Sequence, residues 1–174
     1  NSLQGNIEFH AKDGRIDYLL GLVRILDFLN IMEIYRGKLP DLKKEPLPYD
    51  RITVRGTLQN GKMIFKEFTI DGPTLEMTSQ GEIDLADRKI NLAVLVAPLK
   101  TVDRVVKAIP LVSDIFAGTF IIIPVKVQGD LKDPRVTPLS PSAVGEELLA
   151  MMKRTLGLPF KILQPLLPSE KENK

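Results

Sequence analysis

Apolar and polar residues alternate strictly in parts of the chain and recur at helical spacing in others. Leu75, Met77, Gly81, Ile83 and Leu85 share one side of an alternating run, with Thr74, Glu76, Thr78, Gln80, Glu82 and Asp84 on the other. A period of two predicts a strand with one buried face and one wet face. The pattern returns over 90–97, where Ile90, Leu92, Val94 and Val96 align and Leu95 adds an apolar residue opposite. It returns again over 119–128 with Ile121, Ile123, Val125 and Val127. Pro124 puts that strand near an edge or bulge, because proline donates no N–H to a ladder. Upstream, Asn60-Gly61 is a strong hairpin signal, since both residues tolerate the positive φ of a tight turn, and strands over 51–59 and 62–70 should pair across it.

Helical spacing governs 17–32. Leu19, Leu20, Leu22, Val23, Ile25, Leu26, Phe28, Leu29, Ile31 and Met32 leave a thin polar stripe of Gly21, Arg24, Asp27 and Asn30. So wide an apolar sector needs cover on most of its circumference. Thr101 caps a second predicted helix carrying Val102, Val105, Val106 and Ile109, which Pro110 kinks or ends. Ser140-Pro141 opens a third, with Val144, Leu148, Met151, Met152 and Leu156, closed by Gly157 and Pro159. Residues 38–50, with three prolines, read as a loop. The expected fold is therefore α+β: a twisted antiparallel β meander of about five to seven strands with two or three packed helices.

One small tetrad recurs: "QGNI" at 4–7, "RGTL" at 55–58, "QGEI" at 80–83 and "QGDL" at 128–131. Each glycine lies inside a predicted strand, where it marks a bend, a bulge or the close approach of another backbone. The glycines are 51, 25 and 48 residues apart, near multiples of one hairpin. That spacing suggests a strand pair repeated on a curved sheet, with helices inserted where the interval doubles.

Composition narrows the function classes. With 174 residues, 44% hydrophobic and 26% charged, the chain can bury one sizeable core. A single domain is expected over 1–159, followed by a partly disordered tail at 160–174. Net charge is only +2 and the basic residues are dispersed among acids, which argues against a nucleic-acid partner. There is no cysteine, hence no disulfide or thiolate chemistry, and no apolar run of membrane-spanning length. The first residue is Asn1 rather than methionine, so the chain reads as a piece of a longer protein.

Candidate chemistry is sparse. His10, the one histidine, has no second imidazole to share a metal and reads as an ordinary strand residue. Asp84 with Asp87 reads as turn chemistry, and Glu146 with Glu147 as a favourable helix start. Ser140 and Ser142 lack a nearby histidine, and no glycine-rich phosphate loop or nucleophile elbow is present. No enzyme activity, metal or cofactor is expected. What remains is apolar surface, open to two readings: a sheet face closed by its own helices, or a curved sheet that leaves a groove for acyl chains.

The order of "LPDL" (39–42), "PYD" (48–50), the Asn60-Gly61 hairpin, "IDGPTLEMTSQGEIDLADRKINLAVLVAP" (70–98), "AIP" (108–110) and "GTFIIIPVKVQGDLKDPRV" (118–136) resembles the C-terminal region of AsmA-like proteins. The resemblance runs from about Gly5 to Pro159. It implies a bacterial envelope protein, anchored in the inner membrane by a segment absent here, whose β-rich groove conducts phospholipid across the periplasm toward the outer membrane. The family offers no set of site residues to transfer.

Combined with the alternation pattern, this makes Leu75, Met77, Ile83, Leu92, Val94, Ile121, Ile123 and Val125 the candidate groove, and Leu22, Leu26 and Leu29 a lid. Expected partners are phospholipid acyl chains, the rest of a longer chain and an outer-membrane or envelope protein. The alternative is a docking or capping module without a lipid site, using a sheet edge or the helix at 141–156. A third reading, a membrane-surface helix at 17–32, is weakened by Arg24 being its one cation.

Overall fold

Among the described residues, seven strands hydrogen-bond in the order in which the chain makes them, all antiparallel, in one open sheet. The computed structural model describes residues 4–17, 19–31, 45–98 and 122–156. The strands are β1 (Gly5–Ile16), β2 (Leu47–Gln59), β3 (Lys62–Asp71), β4 (Leu75–Asp84), β5 (Lys89–Pro98), β6 (Ile123–Asp130) and β7 (Asp133–Pro138). Helix α1 (Leu20–Ile31) lies between β1 and β2, and α2 (Glu146–Leu156) follows β7. The predicted helix after Thr101, Ile121 and the C-terminal tail lie outside the described residues.

The predicted hairpin forms as its chemistry requires, with Asn60 at φ 52° and Gly61 at φ 76° between β2 and β3. The turn after β4 is held by Asp84, whose Oδ1 accepts from the backbone N–H groups of Ala86 and Asp87 at 3.0 and 2.9 Å. Two bulges bend the sheet, one between Arg55 and Gly56 and one between Phe65 and Phe68. They coincide with two of the recurrent glycines. A Cβ at Gly56 would strike the carbonyl oxygen of Ile64, and one at Gly81 that of Asn91, while Gly81 also holds φ 136°. The four tetrads are not equivalent, however: Gly5 has nothing within 4 Å of its absent Cβ, and Gly129, whose nearest atom is 4.0 Å away, is constrained by its φ of 111° alone.

Several expectations need correction. Leu85 lies in the turn after β4 and is exposed rather than continuing its face. Residues 47–50 belong to β2 instead of a loop. β7 was not foreseen. Because β7 pairs with β6, Pro124 is interior to the sheet; its carbonyl accepts from Leu139 N–H on the β7 side, so its nitrogen faces that side too, just past the last ladder pair at Pro138. The helix expected from Ser140 divides into a 3₁₀ turn (Pro141–Ala143) and α2, with Gly145 between them.

The helices cover opposite faces. On one face Leu22, Val23, Ile25, Leu26 and Leu29 of α1 join Leu75, Met77, Leu92, Val94, Ile123 and Val125 in the larger core cluster. On the other, Leu148, Leu149, Met151 and Met152 of α2 pack on Leu95, Ala97 and Ile122. The face of β4 expected to be wet is therefore partly sealed: Glu76 is 8% exposed and Thr78 is fully buried. Period two identifies the two faces correctly but cannot reveal that a helix some 70 residues later covers the polar one.

Candidate functional site

Residues directly opposite in an antiparallel ladder point to the same side of the sheet, so each register row can be followed from edge to edge. One row runs Phe9, Val54, Phe68, Ser79, Val94, Val125. The next runs Ile7, Gly56, Phe65, Gly81, Leu92, Val127, and a third Gly5, Leu58, Met63, Ile83, Ile90, Gly129. All three lie on the α1 side, and together they make one apolar surface spanning the curved sheet.

That surface is covered unevenly. Toward β6 and β7, where α1 packs, Val94, Val125 and Val127 are at most 1% exposed. Toward β1, Phe9 is 53% exposed, and Ile7, Val54, Leu58, Met63 and Ile83 are only half-buried. Ile7, Phe9 and Leu58 lie outside the core cluster altogether. Phe65 and Phe68, with ring centroids 5.8 Å apart, stand at the boundary between the covered and uncovered parts.

The opposite side of β1–β3 is polar and ion-paired. Arg55 donates to Glu8 at 3.1 Å and to Glu67 at 3.2 Å. His10 sits between Glu8 (3.0 Å) and the Thr53 hydroxyl (3.4 Å). Hydrogen bonds from His10 and then Arg55 hold the Glu8 carboxyl below its usual range, while Glu8 raises Arg55. Lys62 bonds Glu82 at 2.9 Å and is raised mainly by that contact. This is a solvated face with paired charges. On the α2 face of β4, burial first and the charge of Asp71 second push Glu76 up to about 7; its Oε2 and the Thr78 Oγ1 have no hydrogen-bond partner.

The expected groove and lid residues come together. Leu75, Met77, Leu92, Val94, Ile123 and Val125 are buried in one cluster with Leu22, Leu26 and Leu29, and Ile83 packs half-buried at its margin. Ile121 falls outside the described residues. The less covered residues of the same face, Ile7, Phe9, Val54, Leu58 and Met63, were missed. Their signal was present in the alternation of Ile7, Phe9 and Ala11 and of Ile52, Val54 and Leu58, each beside a glycine tetrad.

Among the described residues, no cluster of three or more metal-binding side chains occurs, and no helix is long and apolar enough to cross a membrane. No curated protein and no solved structure matches the chain. A family model does: that of the YhdP protein, over residues 1–136, which takes in α1 and the sheet as far as Val136 in β7 and stops short of α2. The YhdP family is itself AsmA-like. With that match covering well over half its length, the chain belongs to the YhdP family.

Proposed function

We propose that this domain is a non-enzymatic module of a bacterial envelope protein that holds phospholipid acyl chains along the apolar face of its curved sheet. The observation that carries the reading is the continuity of that face, from rows buried beneath α1 to an uncovered stretch at β1–β3 with Phe9 53% exposed. Membership of the YhdP family supports an envelope setting. In this reading the domain works in the periplasm, as part of a longer chain anchored in the inner membrane, and contributes a segment of the path between the two membranes. The mechanism is passive: each methylene moved from water to an apolar surface gains about 0.8 kcal/mol, so chains are held without a polar anchor while headgroups stay in water.

The test is native mass spectrometry with lipid extraction, on protein purified from bacterial cells without detergent. Co-purified phospholipid that is lost in a folded Phe9→Asp variant supports the proposal. Folded protein that carries no lipid and takes up none when it is added overturns it. Among the described residues the outer edge of β1 has no paired strand, which favours a second reading, a docking module, that stoichiometric recovery of a protein partner without lipid would support.

A further inference from the structure

α1 takes a route its neighbours do not require. β1 and β2 are adjacent, hydrogen-bonded strands at one edge of the sheet, yet the helix between them packs against β6 and β7 at the other edge. On the way it lays Leu22, Ile25, Leu26 and Leu29 over the rows that hold Val94 and Val125. Arg24, the cation of its otherwise thin polar stripe, reaches Asp133 at the start of β7, Nη2 to Oδ1, at 2.6 Å. Both side chains remain in water, at 44% and 75% exposure.

Resting on the reading of this face as an acyl-chain surface, we propose that α1 is a reversible plug, with the Arg24–Asp133 ion pair as its catch. The leucines of α1 and an acyl chain require the same strand atoms, and a packed core has no room for both, so their occupancy is mutually exclusive. A helix lifted into water would expose at least five apolar side chains. Displacement is therefore tied to the arrival of an equally apolar occupant, entering from the uncovered β1 ends of those rows, at Phe9 and Leu58. Among the described contacts of α1, the catch is a part that no acyl chain can replace. Because it is solvent-exposed, it biases the exchange without locking it.

The experiment titrates the whole chain with cis-parinaric acid, a fluorescent fatty acid, and compares wild type with Asp133→Asn, Arg24→Glu, the charge swap Arg24→Glu with Asp133→Arg, and Phe9→Asp. Amide exchange of α1 is followed in parallel. We expect Asp133→Asn and Arg24→Glu to bind the probe about two- to five-fold more tightly, the range a surface ion pair supplies. The α1 amides should exchange faster, those of β5 and β6 should be unchanged, and the swap should return both readouts to wild type. Wild-type affinity in both single variants, with binding still lost in Phe9→Asp, overturns the catch and leaves the lipid reading standing. Weaker binding in both single variants also overturns it. Absence of probe binding by every chain, wild type included, overturns both readings.

Discussion

Glu76 stands directly across the β3–β4 ladder from Asp71, and burial at 8% exposure denies it the water that would stabilise its charge. Its pKa is accordingly raised to about 7, from an unfolded value of 4.5. The folded chain holds this proton in a range where the unfolded chain has released it. The contribution to stability is thus fully present below about pH 4.5, declines as pH rises through 7, and is absent above. Urea unfolding of wild type should show lower stability at pH 8 than at pH 5, by about 3 kcal/mol at most from this group. In Glu76→Gln that decline should flatten. An unchanged pH profile in the variant would remove Glu76 as its source.

The glycine tetrads should divide by mutation as they divide in structure. Gly81→Ala forces a side chain into φ 136° and against the carbonyl of Asn91, and should destabilise the fold by about 2–3 kcal/mol. Gly5→Ala meets nothing within 4 Å and should change stability by about 0.5 kcal/mol or less. Equal effects at both positions would mean that the repeat has a common role after all.

Two charge insertions on the same sheet face should part ways. Val94→Asp buries an unpaired carboxylate at a 1% exposed position and should destabilise by at least about 3 kcal/mol. Phe9→Asp, at a half-exposed edge position, should shift stability by under about 1 kcal/mol while abolishing acyl-probe binding. Thermal melts with fluorescence titration separate the outcomes, and a stable Val94→Asp chain would show that α1 does not seal its row.

Amide exchange should fall into a gradient across the sheet. Among the described residues, β5 and β6 are paired on both sides and carry buried side chains, while β1 is paired on one side and largely exposed. Exchange mass spectrometry should therefore find β5 and β6 the slowest strands and β1 the fastest. Uniform protection would contradict the uneven cover described here.

Much of this was legible in the residues. Strict alternation marks β4 and β5, Asn60-Gly61 fixes the β2–β3 hairpin, and the apolar sector of 17–32 announces a helix that must be covered. The meeting of Leu22, Leu26 and Leu29 with Leu75, Met77 and Val94 follows from both sets needing the same shelter. β7 was illegible because Asp133–Pro138 carries two prolines and no apolar alternation; its partner β6 makes it a strand. Gly145 divides the last helix in a way that apolar spacing does not register. The burial of Glu76 and Thr78 is a tertiary fact absent from local pattern. Phe9 is absent from the candidate groove because nothing local shows that β1 takes the sheet edge farthest from α1.

The unlike ends of the sheet give it a direction of growth. β7 is six residues long, holds two prolines without N–H groups, and has α1 against it. β1 is twelve residues long, has no proline, and carries the apolar surface out to its last paired strand. An incoming strand finds a template at β1 and a blunted margin at β7. Among the described residues the sheet is in that sense finished on the side of β7 and open on the side of Phe9, where an added strand would lengthen its apolar surface.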